Sequence, residues 1–95
     1  MPKGYIIAHV TVRDPEAYRA YILGDTPIIE GFGGRFIVRG GAAQVMEGEA
    51  LQRHVVIEFP DYARALACYT SPEYQKVAEI RRATAESVIL VVEGV

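Results

Sequence analysis

The stretch GYIIAHVTVRDPE, Gly4–Glu16, decides how the chain is read. Its first nine residues are rich in β-branched side chains, carry no helix signal and predict a strand over Gly4–Val12. Asp14-Pro15-Glu16 then supplies an N-cap, a proline that fits the first helical turn, and an acid beside the positive helix end. A strand that runs straight into a capped helix is the opening of a β-α unit. Beyond it, Tyr18, Tyr21, Ile22, Ile28, Ile29 and Phe32 fall on one helical face. Gly24 and Pro27 interrupt that face, so a kink or a restart capped by Thr26 is expected there. Gly33-Gly34 ends the helix, because glycine accepts the left-handed turn beyond a C-terminus.

Further along, Arg35–Arg39 (RFIVR) and Arg53–Phe59 (RHVVIEF) read as strands, with Gly40-Gly41 as a turn and Gln44–Glu47 as a short continuation or an extra edge strand. Pro60-Asp61 stops the second of these and caps a helix that includes Ala63, Leu66, Ala67 and Tyr69. Ser71-Pro72-Glu73 is another start signal, opening a helix with Tyr74, Val77, Ala78, Arg81 and Ala85 on one side. Ser87–Glu93 (SVILVVE) is the last strand. The order is β-α-β-β-α-β. Right-handed crossovers put both helical connections on one face of a four-stranded antiparallel sheet, an α+β, ferredoxin-like sandwich.

The chain has 95 residues, enough for one core and too few for two, so residues 1–95 are expected to form one domain. About half of the residues are hydrophobic, and the formal charge of −2 is interspersed. No Lys/Arg cluster offers a stripe for nucleic acid, and no apolar run is long enough for a membrane span. The N-terminus carries no separate apolar signal region, which points to a cytoplasmic protein. One cysteine excludes an internal disulfide and a cysteine-built zinc site. No cofactor or metal is expected.

Alternation along the strands sorts residues onto two faces. Ile6, Ala8, Val10, Val12, Phe36, Val38, Val55, Ile57, Phe59, Val88, Leu90 and Val92 belong under the helices. The other set mixes Ile7, Ile37, Val56, Ile89 and Val91 with Tyr5, His9, Arg35, Arg39, His54, Glu58 and Glu93. Such a face is too apolar for water and too charged for a core, so a second copy of the chain is expected to cover it as a homodimer.

Asp14-Pro15-Glu16-Ala17-Tyr18, Gly33-Gly34-Arg35-Phe36, Arg39-Gly40-Gly41, Glu47-Gly48, Val56-Ile57-Glu58-Phe59-Pro60, Ser71-Pro72-Glu73-Tyr74-Gln75, Arg81 and Glu93-Gly94 together resemble the bacterial domain-of-unknown-function family 1330 over nearly the whole chain. The resemblance implies a dimeric α/β barrel of the ferredoxin-like class and no established activity. Cys68 departs from the family pattern, which tends to an aromatic residue just before the tyrosine matched by Tyr69. If that aromatic lines a pocket, the pocket here differs in size or shape.

Two function classes follow. One is a non-catalytic homodimer that binds a small molecule, with a small anion as a candidate ligand, or that is stress-associated. The other is a cofactor-independent small-molecule enzyme, monooxygenase- or isomerase-like, by analogy with other dimeric α/β barrels. The residues that would form a site are Tyr18, Tyr69, Tyr74 and Arg81, on helix faces turned to the sheet, with Arg39 at the mouth. A guanidinium holds a carboxylate bidentately and a tyrosine hydroxyl orients it. The competing reading pairs Arg39 with Glu58 or Glu93, and Arg81 with a carboxylate such as Glu58 or Glu86. His9 and His54 share a face with no third metal ligand at a telling spacing, and Cys68 reads as a small buried hydrophobe.

Overall fold

The computed structural model describes residues 2–95. Its elements run β1 (Gly4–Val12), α1 (Pro15–Gly31), β2 (Arg35–Arg39), β3 (Arg53–Phe59), α2 (Tyr62–Thr70), α3 (Pro72–Thr84) and β4 (Ala85–Glu93). The four strands form one sheet in the order β2-β3-β1-β4, every neighbouring pair antiparallel. The expected β-α-β-β-α-β order holds, with the second connection divided into α2 and α3 at Ser71.

The helix starts are side-chain caps. Asp14 accepts from the Ala17 amide, Asp61 from Arg64 and Ser71 from Tyr74. Helix α1 ends in two nested bonds, Gly33 N–H to Glu30 C=O and Gly34 N–H to Ile29 C=O, with Gly33 at φ 85°.

Three expectations are corrected. Helix α1 is continuous through Gly24 and Pro27, and Thr26 starts no second segment; its hydroxyl donates back to the Ile22 carbonyl. Gly24 serves packing instead. A Cβ there would sit 2.9 Å from Val77 Cγ1, so glycine lets α1 lie close against α3. Gln44–Glu47 is no strand: residues 40–52 form one exposed connection, with Val45 and Met46 open to solvent.

The third correction concerns the sheet faces. Strand β4 begins at Ala85, and its register pairs Ile6 with Val91, Ala8 with Ile89 and Val10 with Ser87. Ser87, Ile89 and Val91 therefore lie under the helices, while Val88, Leu90 and Val92 lie on the open face, 53%, 42% and 39% exposed. Both phases of this strand are apolar, so alternation alone does not choose between them. In β2 a bulge between Phe36 and Val38 shifts the phase. Phe36 pairs with Ile57 and Arg39 with Val55, both on the helix side, and Val38 pairs with Val56 on the open side.

The core holds Ile6, Val10, Ile57 and Phe59 from the sheet, Ile29 from α1, Ala65 and Cys68 from α2, and Ala78 from α3. Phe59 and Ile29 meet directly over Gly34, where a Cβ would approach Ile29 Cγ2 at 2.6 Å and Phe59 Cε2 at 2.8 Å. Gly34→Ala should therefore cost about 1–3 kcal/mol of stability by overpacking, read as a lower urea midpoint at unchanged slope. A midpoint equal to wild type would show that this junction yields freely.

Candidate functional site

Between the sheet and helices α1 and α3 lies a cavity of about 30 Å³, space for on the order of one or two waters. Its walls are apolar on the sheet side, with Ile6, Ala8, Val10, Ile57 and Ile89. Its polar lining comes from Tyr18, Tyr21 and Asp25 of α1, Tyr74 and Arg81 of α3, and Arg39 and Arg53 at the facing ends of β2 and β3.

Four of the five expected residues, Tyr18, Arg39, Tyr74 and Arg81, come together in this lining. Tyr69 stands behind them: its hydroxyl is 3.5 Å from Arg81 Nη2 and its ring packs on Tyr74. Arg81 is only 3% exposed, yet among the described residues no carboxylate lies within ion-pairing distance. Its Nη1 donates to Ser87 Oγ at 2.5 Å, and its Nε is buried without a partner. The pairing of Arg81 with Glu58 or Glu86 is thus not found, and Glu58 is taken by Arg35 and Lys3. Arg39 forms no ion pair with Glu58 or Glu93; the β2 bulge turns it inward, where it stacks over the Phe36 ring at 3.8 Å and donates to Thr26 Oγ1 at 2.7 Å.

Tyr21, Asp25 and Arg53 were not singled out as site residues from the sequence. The signal for the first two was present, because Tyr18, Tyr21, Asp25 and Ile29 follow one another at helical spacing and all four are buried. Asp25 is a polar residue in an apolar stripe, which is the informative kind of exception. Arg53 gave no such signal: it opens a strand, and its place in the lining depends on the fold. Its Nε, like that of Arg81, is buried and unpartnered.

The hydroxyls of Tyr21 and Tyr74 are 2.6 Å apart and join α1 to α3. Burial pushes Tyr18, Tyr21 and Tyr74 above the ordinary phenol range, so all three carry their protons near neutral pH. Burial also raises the Asp25 carboxyl to about 6, although the Thr26 hydroxyl, Arg39, Tyr21 and Arg53 pull it down. Burial likewise pushes the Cys68 thiol up to about 11, which suits an inert core residue. On the other sheet face, His9 and His54 are cross-strand partners with Nδ1 atoms 2.9 Å apart. No group of three metal-ligating side chains occurs among the described residues.

The family profile described as "Domain of unknown function (DUF1330)" matches residues 3–95. The chain belongs to this family. Among solved structures, it is similar to a protein of unknown function from Rhodopseudomonas palustris, 20% identical, with 99% of this chain and 83% of that one covered and a TM-score of 0.79. A dimeric ferredoxin-like protein of unknown function from Jannaschia sp. CCS1 is 14% identical over 96% of this chain and 98% of that one, with a TM-score of 0.68. SnoaB, a cofactor-independent oxygenase from Streptomyces nogalater, is 13% identical over 97% and 92%, with a TM-score of 0.66. No curated protein matches. At these identities the likeness establishes a ferredoxin-like fold for this DUF1330 chain and nothing about its chemistry.

The raised Asp25 carboxyl ties stability to pH. Folded Asp25 holds its proton up to about 6 and unfolded Asp up to about 4, so folding takes up a proton between those values and stability falls as pH rises through them. Well above pH 6 the whole penalty is present, on the order of 3 kcal/mol. Asp25→Asn should raise the melting temperature at pH 8 relative to wild type, and the gain should shrink at pH 4. A pH-independent difference would refute this assignment.

Proposed function

We propose that this DUF1330 protein is a homodimeric domain that binds a small carboxylate in the cavity between the sheet and helices α1 and α3. The observation that carries the reading is Arg81: a guanidinium, always charged, 3% exposed and without a carboxylate partner. A buried charge is costly unless it is paired. Arg53 and Arg39 line the same cavity and Asp25 is the only acid in its lining, so the lining is net positive. An anion offers what the arginines lack, and tyrosine hydroxyls can donate to it. A bound anion engages Arg81 and Arg53, while Arg39, stacked on Phe36 and exposed, forms the mouth. Tyr69 holds Arg81 from behind.

The open sheet face supports the dimer. Ile7, Val38, Val56, Val88, Leu90 and Val92 share it, making it more apolar than the sequence alone implied. A stripe of this kind suits a second copy packed sheet to sheet. No helix among the described residues is long and apolar enough to cross a membrane. One buried free cysteine suits a cytoplasmic setting.

Formate, acetate and pyruvate, each added as a sodium salt against a chloride control, should raise the melting temperature. Arg81→Met, which keeps much of the side-chain volume, should abolish that rise. If none of the three stabilises the wild-type protein, the cavity is not a carboxylate site. Light scattering at micromolar concentration should give twice the chain mass for the wild type, and Leu90→Asp should give a monomer or an unfolded chain, because the new carboxylate finds no partner in an apolar interface. A folded dimer with wild-type melting would take Leu90 out of the interface.

A further inference from the structure

We propose that Asp25 is a catalytic base: the cavity abstracts a proton from the carbon next to the carbonyl of a small keto acid, and Arg81 holds the resulting enolate oxygen. The inference rests on the anion-binding reading and goes beyond it. For binding alone Asp25 is the wrong residue, since a carboxylate repels the anion that the arginines attract. Nor is it a structural ion pair, as no Lys or Arg nitrogen lies within 4.0 Å of it among the described residues. It is 5% exposed, on the buried face of α1, and lines the same cavity as Arg81 and the Tyr21–Tyr74 hydroxyl pair.

Its orientation is set. Thr26 Oγ1 lies 3.2 Å from Asp25 Oδ1 and accepts from Arg39 Nη2 at 2.7 Å, so the carboxyl is linked through one hydroxyl to the mouth of the cavity. The groups facing it are Tyr18, Tyr21 and Thr26 on its own helix, Tyr74 and Arg81 from α3, Arg39 from β2, Arg53 from β3 and Cys68 from α2. One carboxylate base thus faces several fixed hydrogen-bond donors across a cavity with an apolar floor. Enolisation needs this combination, a base for the proton and donors where negative charge develops.

In the step, an Asp25 oxygen takes the α-hydrogen as a proton. The C–H bond breaks and an O–H bond forms. The released pair becomes the C=C bond, and the carbonyl π pair moves onto oxygen, where Arg81 and a tyrosine hydroxyl stabilise it. Return of the proton to the same carbon gives hydrogen exchange, and return to another position gives an isomer. No oxidant or reductant is consumed. A carboxyl that titrates at about 6 is ionised near neutral pH and basic enough to accept the proton.

The test uses pyruvate in D₂O, with loss of its methyl proton signal followed by NMR alongside the melting temperature. Wild-type protein should accelerate exchange, with a rate that rises through pH 6 and then levels. Asp25→Asn should lower that rate on the order of a hundredfold, while pyruvate still raises the variant's melting temperature. Stabilisation by pyruvate without accelerated exchange in the wild type overturns this inference and leaves the anion site standing. Exchange equal to wild type in Asp25→Asn does the same. Failure of pyruvate to stabilise the wild type overturns this inference, and failure of formate, acetate and pyruvate alike overturns the anion reading with it. Should Asp25→Asn not fold, the wild-type pH profile decides, and a rate with no rise near pH 6 counts against Asp25.

Discussion

A hydrogen bond between two phenols, Tyr21 on α1 and Tyr74 on α3, ties together the two helices that roof the cavity. The two helices belong to different connections, 53 residues apart at these positions, and they meet above the sheet. Gly24 against Val77 lets them come close, and Tyr18 and Tyr69 flank the pair as further aromatic contacts. A buried hydroxyl without a partner is costly, so each tyrosine is tolerable in the interior because of the other. That junction leaves Asp25 and Arg81 facing one cavity. Loss of either hydroxyl would remove the direct link between the two helices and leave its partner to Asp25 or Arg81 in the cavity lining.

The local parts of this architecture were legible in the sequence. Asp14, Asp61 and Ser71 act as the caps that their spacing predicts, and Gly33-Gly34 closes α1 as expected, because capping depends on a few consecutive residues. Non-local parts were not. The phase of β4 is set by its register with β1, and a strand apolar at every second residue in both phases conceals that choice. The β2 bulge moved Arg39 from the open face to the cavity, and one extra residue leaves no compositional trace. Tyr18, Tyr74 and Arg81 were legible as inward-facing helix residues. Arg53 was not, since its role follows from where the end of β3 lands. Pro27 misled in the other direction, because the carbonyl its missing N–H leaves open is that of Leu23, on the solvent side of α1, where water can serve it.

The two faces of the sheet divide the work. Under the helices the strands supply Ile6, Ala8, Val10, Ile57 and Ile89, a dry floor that leaves the polar groups above it little water to pair with. On the open face the corrected phases gather Ile7, Val38, Val56, Val88, Leu90 and Val92 into a broad apolar stripe, while Arg35, Lys3 and Glu58 form an ion-pair cluster near one end. That cluster is solvent-accessible on its basic side, so it contributes little to stability and suits a rim. The His9–His54 pair sits within the apolar region, the two rings sharing one Nδ1–Nδ1 hydrogen bond. Polar groups on this face are therefore largely paired within one chain, which lowers the cost of covering it.

The size of the cavity sets the last constraint. About 30 Å³ holds no keto acid, so a ligand can enter only if part of the lining moves. Tyr21 and Tyr74 cannot yield cheaply, being buried and bonded to each other, and the sheet floor is held by two ladders on either side of β1. Arg39 can. It is exposed, and what holds it is one hydrogen bond to Thr26 and one stacking contact on Phe36, each worth about 1 kcal/mol in water. Swinging Arg39 outward would open the mouth between β2 and α1 and free the Thr26 hydroxyl of the one donor it accepts from. The carboxylate of an entering ligand offers the displaced guanidinium a stronger partner than the hydroxyl it left. On the proposed reading, an entering anion would recover on binding the energy lost on opening, which a neutral molecule would not.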